Sequence, residues 1–180
     1  MSPLTTTTSA TVTDPPSAAE VPITPERFRQ AMGRFATGVT AVCGTDATGA
    51  PIGIAANSFA SVSLEPALVS FCVARTSSTW AELQASPSFA ISFLADTQAE
   101  VCSQLARKGV DRFAGVPWSP APSGAPVLDG ALAWVDCTPW ARYDGGDHEI
   151  VVGQVTALGL AEDVPEPLLF FQSTFRTLAP

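Results

Sequence analysis

The single histidine of this 180-residue chain, His148, lies in Tyr143-Asp-Gly-Gly-Asp-His-Glu-Ile150, a glycine turn between two strand-like runs. A core histidine sits inside apolar periodic sequence, and a zinc ligand has further histidines or closely spaced cysteines for company. His148 has neither. At the mouth of a strand an imidazole can hydrogen-bond to a ligand or stack on it, and Gly145 and Gly146 permit close backbone approach. The competing reading is that Asp147 and His148 finish a hairpin turn, each serving as the other's partner.

A second group lies in GIAANSFASVSLEPALVSFCVARTSSTW, residues 53–80. Gly53, Ala55 and Ala56 leave backbone open to something flat, and hydroxyls follow at Ser58, Ser61 and Ser63. The cluster Arg75-Thr76-Ser77-Ser78-Thr79 then opens a helix. Helix amides, serine hydroxyls and a guanidinium together suit a phosphate. Serine and threonine also cap helices and fill turns without any ligand. The four cysteines, Cys43, Cys72, Cys102 and Cys137, form no CxxC pair and read as free, mostly buried thiols. The sequence contains no GxGxxG after a strand, no P-loop, no GxSxG elbow and no zinc spacing.

Composition bounds the elements that must carry these groups. Hydrophobic residues make up 46% and charged residues 14%, so a substantial core is expected under a sparsely charged surface. Such a surface is expected to be partly covered, by a cofactor, a second subunit or both. Net charge −8 argues against nucleic acid, which needs a cationic face. No apolar run reaches the ~18 residues of a membrane span. Residues 1–22 are rich in Thr, Ser, Pro and Ala, with no cationic or apolar signal region. They read as a disordered leader before one domain over 23–180, in a reducing cytoplasm.

Thr24-Pro25 opens a helix with a hydroxyl cap and a proline at its first position, and it is expected to end near Thr37-Gly38. Phe28, Ala31, Met32 and Phe35 form its apolar stripe. Strands are expected at 38–44, 51–56, 67–74, 88–94, 131–143, 148–160 and 167–171, with short helices at 77–86 and 97–107. Residues 114–126 read as a Pro/Gly/Ser loop. Strands without βαβ alternation imply a mainly β fold, an antiparallel barrel of six or seven strands with a few flanking helices.

Five stretches, in order, carry a resemblance: FATGVTAVCG, GIAANSFASVSLEPALVSFCV, RFAGVPW, GAPVLDGALAWVDC and GGDHEIVVGQV. They resemble the short-chain flavin reductase family, the FMN-binding split barrels that serve as reductase components of two-component flavin-dependent monooxygenases. The likeness covers about residues 25–178. It implies a homodimer, a flavin (FMN or FAD), and NADH or NADPH as hydride donor. By motif it puts the flavin ring and ribityl chain along Pro51, Gly53, Ile54, Ala55, Asn57 and Ser58. Phe71, Cys72 and Val73 would back the ring, Ser77 and Ser78 would hold the phosphate, and Arg112 and Phe113 would close over it. Gly146, Asp147, His148 and Glu149 would meet the nicotinamide nucleotide. No catalytic side chain and no metal is implied. Where the family commonly has asparagine in the strand after the helix, this sequence has Ser92, which either weakens a flavin contact or makes the position structural. Arg142 is the one nearby cation for a nucleotide 2′-phosphate. Two other classes stay open: a split-barrel oxidase or oxygenase with its own small substrate, and a non-catalytic flavin-binding partner.

Overall fold

The structure, a computed structural model, describes residues 22–163 and 165–178; all but the last residue of the expected leader lies outside them. Its framework is a seven-stranded antiparallel sheet. In chain order the elements are α1 (Pro25–Met32), β1 (Thr37–Gly38), β2 (Thr40–Thr45), β3 (Pro51–Ala56), β4 (Ala60–Leu64), β5 (Ala67–Ala74) and α2 (Ser78–Leu83). There follow β6 (Phe89–Phe93), a 3-10 turn (Asp96–Gln98), α3 (Ala99–Leu105), β7 (Trp118–Pro120), β8 (Pro126–Leu128), β9 (Ala133–Gly145), β10 (His148–Leu160), β11 (Leu169–Phe171) and β12 (Thr174–Arg176).

The large sheet runs β3-β2-β6-β9-β10-β5-β4. Its two edges, β3 and β4, are consecutive in the chain and joined only by residues 57–59. The sheet therefore has to curl until its edges approach, without pairing to each other. That seam is the split of the barrel, and it puts Asn57 and Ser58 between the edges. Ser58 helps to hold it: its Oγ accepts from Cys72 N at 2.8 Å and donates to Cys72 O at 3.1 Å.

Period-2 alternation sends each strand's side chains to two separate cores. Val42, Ile54, Phe71, Val73, Phe89, Ile91 and Val151 fill the barrel interior with Trp80 and Leu83 of α2. Ala41 and Cys43 of β2 face the other way, against Cys102 and Leu105 of α3, Phe113 and Leu128. Buried on both faces, β2 shows no alternation of polar and apolar residues in sequence. Gly153 is needed where β10 passes Phe89, since a Cβ there would stand 2.5 Å from the ring.

Several expectations need correction. The first helix stops at Met32, where Gly33 caps it and donates to the carbonyl of Arg29. Its stripe is solvent-facing: Phe28, Met32 and Phe35 are all exposed. The 114–126 loop contributes a small hairpin, β7 with β8. The serine-rich stretch after Asn57 is the edge strand β4, and β12 follows the strand expected to be last. Ser92 is fully buried, and its Oγ accepts from Leu128 N at 3.0 Å, so this position ties β6 to β8.

Candidate functional site

A cleft of about 410 Å³ opens at the seam. Ile54, Ala55 and Ala56 at the end of β3, with Asn57 and Ser58, form one wall; Cys72, Val73 and Ala74 at the end of β5 form the facing one. Thr76, Ser77 and Ser78 close one end at the start of α2. Lys108 and Arg112 come from the segment after α3, and His148 from the start of β10. Residues distant in sequence converge because the curled sheet brings the ends of β3, β5 and β10 to the same rim. His148 pairs directly with Ala74 in the β5–β10 register.

The walls suit a flat, partly polar ligand: small aliphatic groups along the strands and hydroxyls with two cations at the end. In a chain of net charge −8, Lys108 is the only lysine. It lines the same cleft as Arg112, Thr76, Ser77 and Ser78, an anion-favouring set. Arg112 is held from behind, its Nη1 donating to Gly53 O at 3.1 Å and its Nε to Arg107 O at 2.6 Å. Ser77 caps α2 by accepting from Trp80 N at 3.2 Å.

Not every expected residue reaches this cleft. Pro51, Gly53 and Phe113 line an adjoining cleft, which shares Ser78 and Arg112 with the first. Gly53 lies under Phe113; a Cβ there would come within 2.9 Å of Cys43 Sγ and 3.2 Å of the Phe113 ring. Phe71 is fully buried in the barrel interior, on the strand face opposite Cys72. Gly146 sits at the hairpin tip with φ +78°, and neither it nor Asp147 nor Glu149 lines the cleft. Two arginines also depart from expectation. Arg75 is not part of the anion corner, because its guanidinium turns to the β9–β10 hairpin. Arg142 donates to Gln84 Oε1 at 2.7 Å.

His148 is partnered within its turn and also lines the cleft. Its Nδ1 lies 2.7 Å from Asp147 Oδ1, and this partner, by hydrogen bond and charge, holds the Asp147 carboxyl below its usual range. Nε2 has no protein partner among the described residues, which leaves one ring edge for a ligand. The imidazole is thus both turn partner and cleft wall. Ala74, Leu105, Ala106 and Lys108 are the cleft residues that sequence reasoning did not single out. Lysine's singularity in an acidic chain was the available signal.

Cysteine placement gives a test. Burial raises the thiols of Cys43 and Cys137 to about 12 and that of Cys102 to about 11, so they stay protonated and unreactive in the native state. Cys72 alone is half-exposed, and it lines the cleft. Native protein is expected to react with a thiol reagent at one site, with flavin slowing that reaction. Labelling followed by peptide mass mapping checks it; modification of a second cysteine without unfolding would contradict it.

The flavin reductase like domain matches residues 32–179. The reductase subunit HsaB of a flavin-dependent monooxygenase from Rhodococcus jostii (strain RHA1) is 40% identical over 169 residues, covering 94% of this chain and 86% of that protein. Among solved structures, nitrilotriacetate monooxygenase component B from Mycobacterium thermoresistibile superposes with a TM-score of 0.83 at 39% identity, covering 86% of this chain and 87% of that one. The NADH:FAD oxidoreductase SgcE6 of Streptomyces globisporus C-1027, in complex with NAD and FAD fragments, superposes with a TM-score of 0.80 at 38% identity, covering 86% and 93%.

Proposed function

This chain belongs to the flavin reductase-like domain family, and from that membership we infer that it is an oxidoreductase that reduces flavin with NADH and supplies the reduced flavin to a separate monooxygenase component. The observation that carries the reading is the cleft at the seam. Its aliphatic walls suit a flavin ring, its anion corner suits a phosphate, and its single imidazole suits a nucleotide. Bound flavin supplies the chemistry, accepting hydride from the nicotinamide.

The chain's own residues bind and align. Ala55 and Ala56 at the end of β3 give the ring a flat apolar bed, with the buried Ile54 and Val73 behind the cleft walls. Ser78 and Thr76 offer hydroxyls to the phosphate, with Lys108 and Arg112 balancing its charge. His148 presents Nε2 where the nucleotide enters. No side chain has to act as nucleophile, since the gain comes from holding two planar groups face to face. An open cleft also lets the reduced product leave.

NADH as donor fits the local charge. The hairpin carries Asp144, Asp147 and Glu149, while Arg75 is paired with Asp144 and Glu149. FMN and FAD both fit the reading, because the adenosine half extends past the phosphate.

The assay is NADH oxidation with added FMN or FAD and no other substrate. Turnover on flavin alone is expected. An oxidase or oxygenase would need its own organic substrate, and a carrier would show no turnover in either case.

The proposal extends to a homodimer. Its support is the exposed apolar set on one segment, Phe28 at 56%, Met32 at 54% and Phe35 at 74%, which a lone chain would leave in water at a cost. Light scattering at micromolar concentration is expected to give about twice the 18.7 kDa of one chain. A particle of one chain's mass with full activity would refute the dimer. Among the described residues no helix is long and apolar enough to cross a membrane. The proposed setting is the cytoplasm, in keeping with four free cysteines.

A further inference from the structure

The β9–β10 hairpin that carries His148 is an exposed glycine turn, and left to itself it would be free to swing. The guanidinium of Arg75, just after β5, contacts it at three points. Its Nε donates to Gly146 O at 3.0 Å. Its Nη2 donates to Asp144 Oδ1 at 3.0 Å, and that same oxygen accepts from Gly146 N at 2.9 Å. Its Nη1 donates to Glu149 Oε1 at 3.2 Å. The other oxygen of Glu149, Oε2, accepts from Trp80 Nε1 at 2.8 Å, and Trp80 is buried in α2. Arg75 N also donates to Asp147 O, at 3.1 Å. These contacts reach both sides of His148 without touching it.

We propose that Arg75, with Glu149 and Trp80, is a clamp that positions His148 over the cleft, making Arg75 a positioning residue for nucleotide binding and hydride transfer. This rests on the reading that His148 meets the nicotinamide nucleotide. The planar guanidinium engages two carboxylates and a carbonyl at once, which a point charge cannot do. Trp80 anchors the far end in the core, so the hairpin is referenced to the helix whose first residues line the anion corner. The Arg75 and Asp144 side chains are 42% and 83% exposed, so the pairs add little to global stability. Their consequence is local order.

Two measurements on Arg75→Ala test the clamp. Hydrogen exchange on the ligand-free protein is expected to quicken about tenfold or more at the amides of residues 144–149, with the melting temperature moving only about 2 °C or less. In steady state the KM for NADH should rise roughly three- to tenfold and kcat should fall with it, because alignment is lost along with affinity. Flavin affinity should hold within about twofold. Arg75→Lys should recover only part of the loss.

Glu149→Ala separates positioning from direct contact. A clamp predicts a higher KM, as for Arg75→Ala. If Arg75 instead bound the nucleotide itself, removing its carboxylate partner would free it and lower KM. The clamp also predicts that Arg75→Ala adds little once His148 is alanine. Unchanged hairpin exchange in Arg75→Ala, or a lowered KM in Glu149→Ala, would overturn it. A wild-type KM in His148→Ala would instead overturn the nucleotide assignment, and with it the clamp's bearing on the reaction. Exchange would still report whether Arg75 holds the hairpin.

Discussion

Arg112→Ala is expected to weaken flavin binding about tenfold to a hundredfold. A hydrogen bond to a charged group contributes about 1.5–3 kcal/mol, which converts to that range. Arg112 is one of the two cations at the anion corner, and it also bonds to the carbonyls of Gly53 and Arg107. Its loss removes charge from the corner and unties the segment after α3 from β3. Lys108→Ala should cost less, since the lysine is exposed and makes no such backbone contacts among the described residues. Flavin titration by fluorescence gives both numbers. If Arg112→Ala lowered the melting temperature while flavin affinity stayed within twofold, the arginine would be structural.

His148→Ala is expected to raise the KM for NADH roughly three- to tenfold, the equivalent of one hydrogen bond or stacking contact at about 0.5–1.5 kcal/mol. Flavin affinity should stay nearly unchanged, because the imidazole stands on the β5 side of the cleft, away from the β3 residues Ala55 and Ala56. Loss of uniform binding would appear in KM alone; loss of alignment would lower kcat as well. A histidine that only finished its turn would give another pattern: a lower melting temperature, with flavin and nucleotide binding weakened together. Steady-state kinetics, a flavin titration and a melting curve on this variant separate the two. Unchanged kinetics would return His148 to the turn.

The sequence was most legible where one physical signal dominated. The strands 51–56, 67–74 and 148–160 lie where alternation or a continuous apolar run placed them, because burial enforces both pattern and length. The edge strand β4 was hidden because Ala60–Leu64 is mostly exposed and rich in serine, so no buried face marks it. The β7–β8 hairpin was masked by prolines that read as loop. The stripe on α1 was periodic yet faces solvent in the single chain, since periodicity gives a face but not what covers it.

The site divides in the same way. Asn57, Ser77, Ser78 and His148 come together at one rim, following motif order along the chain. Arg75 and Arg142 were legible as charges only. Their destinations depend on a register that pairs His148 with Ala74 and on the reach of side chains across strands. Glu149 lies in the hairpin motif, yet its carboxylate is engaged by Trp80 and Arg75, a tertiary choice that spacing does not encode.

The central claim is that hydride passes to flavin in this cleft with no other substrate present. Its most direct test is an anaerobic single turnover in which purified protein and oxidised flavin are mixed with excess NADH and the flavin's visible absorption is followed. Rapid bleaching is expected, far faster than without protein, with reduced flavin then recovered in the filtrate. Bleaching no faster than the protein-free control, with flavin shown by titration to be bound, would contradict the reductase reading.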